Sequence, residues 1–230
     1  MDPSPLLACP IMADLVARHR PPVIVPEQPF PALVDAIVSQ QISGKAAASI
    51  LARLRELVPI RPTTLATADL RRLRRAGLSR AKATYVRELA RFAVNGGLRG
   101  LHRLPDEAVV ERLVQVKGIG VWTAEMFLIF SLGRQDVWPV GDGGVQRAAQ
   151  NLYGVKTTKA LAKLGERFRP LRTHAAWYCW RSLETPPAPP RTASSAAARR
   201  RHPVPPARRG PARSGAAPWP RPGAGSTAPR

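Results

Sequence analysis

The sequence predicts an all-α body followed by a basic tail with no core of its own. Three observations predict this. From Phe30 to about Ser182 apolar residues recur with the helical period, few segments alternate with period two, and after Glu184 the composition collapses into Pro, Ala, Arg, Gly and Ser.

Taken in order, residues 1–29 form an N-terminal segment that packs on the body. A short helix is expected over Pro10–His19, and PPVIVPEQP is extended because its prolines exclude helix. The body, 30–184, opens with Phe30, Leu33, Val34, Ile37 and Val38 on one apolar stripe. QQISGK interrupts that stripe, and AAASILARLRELV resumes it up to Pro59. ATADLRRLRRAG predicts a helix closed by Gly77 as a C-terminal cap, and SRAKATYVRELARFAVNGG one that starts at a serine cap. LPDEAVVERLVQV predicts a helix from Asp106, taken as its N-cap, to Gln115. VWTAEMFLIFSLG, helix Val121–Leu132, is apolar on nearly every face and so belongs in the core. The loop QDVWPVGDGG and a last set of helices complete the body.

The tail, 185–230, cannot bury enough apolar area to offset its ordering entropy and is expected to be disordered. Its arginines suit nonspecific phosphate contact; a weakly constrained GC-rich coding stretch or a shifted reading frame explains the same composition.

Charge narrows the function. The chain carries 36 Lys and Arg against 15 Asp and Glu, a formal +21. Nine of those arginines and none of the acids lie after Glu184, so the body holds 27 basic and 15 acidic residues, +12. That excess points to nucleic acid, with an anionic membrane surface as the lesser option. No run of eighteen apolar residues and no signal-peptide pattern is present, so a soluble, cytoplasmic protein is expected. Cys9 and Cys179 alone make neither a disulfide framework nor a four-cysteine metal or iron–sulfur site.

The chemistry concentrates after residue 105. Two helices joined by Val116-Lys117-Gly118-Ile119-Gly120 form a helix-hairpin-helix, 106–132. Gly118 and Gly120 permit positive φ and leave room for a DNA phosphate on the N–H groups of the second helix, with Lys117 beside them. Ile119 plugs the hairpin into the core. An ordinary tight turn between helices also favours glycine, and the G-I-G alone leaves both readings open. The second element, the Gly/Pro–Asp loop at 133–144, sets Asp142 between glycines just before a helix. Asp142 is an N-cap in one reading. In the other it stabilises the oxocarbenium character that develops when an N-glycosidic bond breaks, and orients a water. The two roles are compatible if the helix N-terminus keeps the acid ionised.

LVQVKGIGVWTAEMFLIFSLGRQDVWPVGDGGVQR resembles the corresponding segment of the helix-hairpin-helix (HhH-GPD) DNA glycosylase superfamily, most of all its 3-methyladenine DNA glycosylase II (AlkA-type) branch. PFPALVDAIVSQQISGKAAASILARL, GLSRAKATYVRELA and FRPLRTHAAWYCWRSL extend the likeness over about residues 28 to 184. The resemblance implies a two-lobed helical fold with the active-site cleft between the lobes. It implies an enzyme of base-excision repair that flips alkylated purines from double-stranded DNA and hydrolyses the glycosidic bond, leaving an abasic site. Asp142 takes the place of the essential aspartate. Trp122 stands where strand-cutting members place a Schiff-base lysine, which implies a monofunctional enzyme with no lyase activity. Lys117 is on the hairpin and is a phosphate contact rather than a substitute for that lysine.

Trp122 and Trp180 match aromatic positions of the base pocket, where an electron-rich indole face attracts a cationic base. Met126 stands where the best-known form has another aromatic, which leaves the lesion range open. Gln41 matches the wedge that fills the gap left by the flipped nucleotide; a QQ pair that merely ends a surface helix is the plainer alternative. Main-chain carbonyls of Val114, Val116 and Ile119 match a structural Na+ or K+ site, no other cofactor is implied, and an extra N-terminal β domain is expected to be missing or vestigial. A monomer is expected. Two other functions explain parts of the pattern: a glycosylase for oxidised or deaminated bases, and a non-catalytic helix-hairpin-helix DNA-binding module.

Overall fold

The computed structural model describes residues 4–184, and the whole 185–230 tail expectation lies outside the described residues. Among the described residues every regular element is a helix. Helices α1 (Ser4–Leu7) and α2 (Pro10–Arg18) precede an extended stretch through the prolines, as the sequence predicts. Then follow α3 (Pro29–Ser39), α4 (Gly44–Leu57), α5 (Pro62–Ala66), α6 (Leu70–Arg75) and α7 (Arg80–Val94). A 3-10 turn at Leu101–Arg103 leads to α8 (Asp106–Leu113) and α9 (Val121–Phe130). The chain closes with α10 (Gly143–Tyr153), α11 (Thr158–Glu166) and α12 (Arg172–Glu184).

These helices bury two separate apolar cores. The larger takes Leu33, Ile37, Leu54, Leu73, Leu89 and Phe127 from α3 to α9. The smaller takes Met12, Leu15, Val145, Leu164, Phe168 and Cys179, from the N-terminal helices and α10 to α12. Two cores mean two lobes, and the chain crosses between them twice, in the extended stretch between α2 and α3 and in the loop after α9. Met12 and Leu15 are fully buried, so the N-terminal segment is a working part of the second lobe. Trp180 packs against both cores.

Several boundaries differ from the sequence expectation, each for a local reason. ATADLRRLRRAG is not one helix. The Asp69 carboxylate accepts from the Arg71 N–H and starts α6 afresh, while Pro62 begins a separate α5 upstream. Asp106 is not the cap of α8. Pro105 occupies that position, and Asp106, the first helical residue, turns its carboxylate to Arg134 at 3.2 Å. α8 and α9 each stop two residues short of the expected ends, at Leu113 and Phe130. Ser79 caps α7 through the Lys82 N–H, and Gly77 has φ +106, both as the sequence predicts.

Candidate active site

Asp142 is placed by a loop that the second lobe grips along its length. The Thr173 hydroxyl, fully buried, donates to the Arg134 carbonyl at 2.8 Å and accepts from the Val137 N–H at 3.0 Å. Arg172 Nε donates to Asp136 at 2.7 Å. Trp138 donates its indole N–H to the Leu161 carbonyl at 2.9 Å and lies against Phe168. Its recess exists because position 165 is glycine: a Cβ there would stand 2.3 Å from Trp138 Cδ1. The loop thus enters α10 with its path already set.

Asp142 itself is 6% exposed and is the N-cap of α10. Its Oδ1 accepts the Val145 N–H and the Trp180 indole N–H, each at 2.8 Å. Its Oδ2 accepts the Trp122 indole N–H, also at 2.8 Å. A carboxylate offers about four lone-pair sites. Three are taken, and the remaining one is on Oδ2. Fixed donors on both oxygens hold the group in one orientation and leave a single place for water or for a developing positive charge.

The two tryptophans hold the carboxylate by their ring edges, and Trp180 stacks on Phe130 with centroids 6.1 Å apart. Trp122 comes from the first lobe and Trp180 from the second, so the carboxylate is where the lobes meet. Gly144 makes this possible. A Cβ at that position would stand 2.8 Å from Trp180 Cδ1 and 3.0 Å from Asp142 Oδ1.

Met126 sits in the larger core at 2% exposure. The neighbouring Glu125, absent from the sequence expectations, is half-buried and feels the Asp142 charge. Burial first and that like charge second push its carboxyl up to about 7.

Gln41 lies in the turn after α3 and has φ +57, the only described non-glycine residue in that region. Such a conformation is strained and must be held by its surroundings. The Gln40 side chain donates to the Gly118 carbonyl at 2.8 Å, tying the turn to the hairpin. Lys82 Nζ donates to the carbonyls of Val38 and Gln40 at 2.7 and 2.6 Å, capping the C-terminal end of α3. Burial lowers the Lys82 pKa. Gln41 is exposed, at the tip of this clamp.

In the hairpin the two glycines have different reasons. Gly118 has φ +92, and a Cβ there would stand 2.3 Å from the Tyr85 ring, so the fold itself requires it. Gly120 has φ −96, not the positive φ expected, and a Cβ on it would meet nothing within 4 Å. It is the N-cap of α9 and makes no side-chain cap bond, so the first N–H groups of α9 face outward beside exposed Lys117. Ile119 and Val116 are buried as plugs, and Val114 is exposed. The Val116 carbonyl accepts the Ile119 N–H at 3.0 Å, which leaves it a second lone pair.

Comparisons with known proteins point to one family. The family model for HhH-GPD superfamily base excision DNA repair proteins matches residues 34–171. DNA-3-methyladenine glycosylase 1 of Schizosaccharomyces pombe is 33% identical over 183 residues, covering 74% of this chain and 80% of that protein. The solved structure of the Schizosaccharomyces pombe 3-methyladenine DNA glycosylase in complex with abasic DNA superposes with a TM-score of 0.69 at 32% identity, covering 76% of this chain and 92% of that one. A DNA-3-methyladenine glycosidase from Bacillus halodurans gives a TM-score of 0.67 at 35% identity over 78% of this chain and 91% of that one.

Proposed function

The chain belongs to the HhH-GPD superfamily of base excision DNA repair proteins, and from that premise we propose that it is a monofunctional glycosylase for alkylated purines. It binds double-stranded DNA as a monomer in the cytoplasm, flips out a base of the 3-methyladenine type and hydrolyses its N-glycosidic bond. The observation that carries this reading is the clamp on Asp142. Two indole N–H groups and one helix N–H hold a nearly buried carboxylate at the meeting of the lobes, with one acceptor site left.

In this reading the alkylated base leaves with the bonding electrons and becomes neutral. The positive charge moves to the sugar, Asp142 stabilises it, and a water adds at C1′ to leave an abasic site. Trp122 and Trp180 offer ring faces to the base. Met126 supports their pocket from the core behind. Gln41 fills the vacated stack, and Lys117, Gly118 and Gly120 seat a phosphate at the start of α9. Main-chain carbonyls of Val114, Val116 and Ile119 are neutral oxygen donors that would hold a Na+ or K+ and stiffen the hairpin there. No lyase step is expected, because Trp122 has no amine with which to form a Schiff base.

Release of 3-methyladenine from methylated duplex DNA tests the reading, together with borohydride trapping on the abasic product. Base release without a trapped covalent complex supports it. Tight DNA binding with no release from any alkylated duplex returns the chain to a non-catalytic hairpin module, and a trapped complex contradicts the monofunctional chemistry.

A further inference from the structure

We infer that Glu125 is a specificity-determining residue of this site, a carboxylate that favours positively charged N-alkylated purines over neutral bases. The inference rests on the glycosylase reading and deepens it.

Glu125 is out of place in its helix. It is the one ionisable residue in VWTAEMFLIF, where Thr123, Ala124, Met126, Phe127, Leu128 and Ile129 are all buried. Its half-exposed side chain falls instead on the open side of α9, with Trp122 one turn before it. Trp122 is bonded to Asp142, so this is the side of α9 that meets the catalytic carboxylate.

The surroundings of Glu125 are incomplete. Among the described residues it has no hydrogen-bond donor and no basic partner, and Asp142 is the one charged group that acts on it. The Asp142 charge acts on Glu125 in a body that carries a +12 excess, and no arginine or lysine offsets it. Other acids around the loop are treated differently: Asp106 is paired with Arg134, and Asp136 with Arg169 and Arg172. The arrangement lacks one positive charge, and an N3- or N7-alkylated purine brings one.

The chemistry gives direction. An ionised Glu125 attracts a cationic base in a partly dehydrated site, whereas a neutral base meets only the cost of dehydrating the carboxylate. Below about pH 7 the carboxyl holds its proton in the free site, and the preference for a cation weakens. The base loses its charge as the glycosidic bond breaks, so the attraction is strongest before the reaction. Its loss therefore appears in KM more than in kcat.

The test compares the full chain with its Glu125→Gln variant on methylated duplex DNA, scoring 3-methyladenine, and on a duplex with a single neutral hypoxanthine. At pH 8 the variant should raise KM for 3-methyladenine release by about fivefold or more, with kcat within about twofold. Wild-type KM should rise as pH falls from 8 to 6, while the variant's profile stays flat. Release of hypoxanthine, if any, should not weaken in the variant. Glu125→Asp keeps the acid and should keep the pH step, which separates a charge effect from a misfolded variant. Equal KM and equal pH profiles for wild type and Glu125→Gln would overturn the inference while leaving the glycosylase reading intact. No 3-methyladenine release by wild type would overturn both.

Discussion

The indole N–H of Trp122 on α9 stands 2.8 Å from Oδ2 of Asp142 at the head of α10. One residue sits on the larger core and the other caps a helix of the smaller, so this bond joins the lobes at the Asp142 carboxylate. Trp180 completes the clamp from α12 on the other oxygen. A hydrogen bond to a charged group is worth about 1.5–3 kcal/mol. Replacing Trp122 or Trp180 by Phe, which keeps an aromatic face but removes the donor, should therefore slow single-turnover base release about tenfold or more. DNA affinity should change little. A Phe variant at full rate would show that the ring face alone matters.

Gly144 is the second residue of α10, where Ala is the better helix former by up to about 1 kcal/mol. Here the added Cβ would press on Trp180 and Asp142 Oδ1 at 2.8 and 3.0 Å. Gly144→Ala should forfeit that gain in a thermal melt and also lower base release. A more stable and fully active variant would refute the crowding argument.

Glu125 should burden the fold as well as serve the site. Its folded pKa, about 7, is above its unfolded value, because burial and Asp142 both oppose ionisation. The cost of ionising it is thus absent at low pH, grows as pH rises through the window between the two values, and is complete above pH 7. Glu125→Gln should melt like wild type at pH 4.5 and be more stable at pH 8, by about 1–2 kcal/mol once water screening at its open side is allowed for. Equal melts at both values would mean that the carboxyl is fully hydrated.

Lys82 holds the Gln41 turn through two carbonyls of α3, at 2.7 and 2.6 Å. Lys82→Met leaves both without that donor and should cost about 1–3 kcal/mol of stability. Base release from duplex DNA should fall more than release from single-stranded DNA, since a wedge acts only where a stacked gap must be filled. Parallel losses on both substrates would indicate general unfolding.

Much of this was legible in the chain. The stripe from Phe30 to Val38, the Ser79 cap, and the apolar VWTAEMFLIF each have a local cause, and each forms the expected helix. Asp142 was legible as a cap because an acid before Gly-Gly and a helical run has a local use. Indole edges were not legible, since periodicity places Trp122 and Trp180 on faces but says nothing about where a ring N–H points. Gly144 needed Trp180 beside it to acquire meaning. Glu125 does leave a signal, a lone charge in an apolar helix.

The central claim is that Asp142 carries the chemistry, and Asp142→Asn tests it most directly. Asn still caps a helix, so α10 and DNA binding should survive while the negative charge is lost. Single-turnover release of 3-methyladenine from methylated duplex should fall by about a hundredfold or more, with an unchanged fold by circular dichroism. A variant that binds DNA and releases the base within about twofold of wild type would contradict the account.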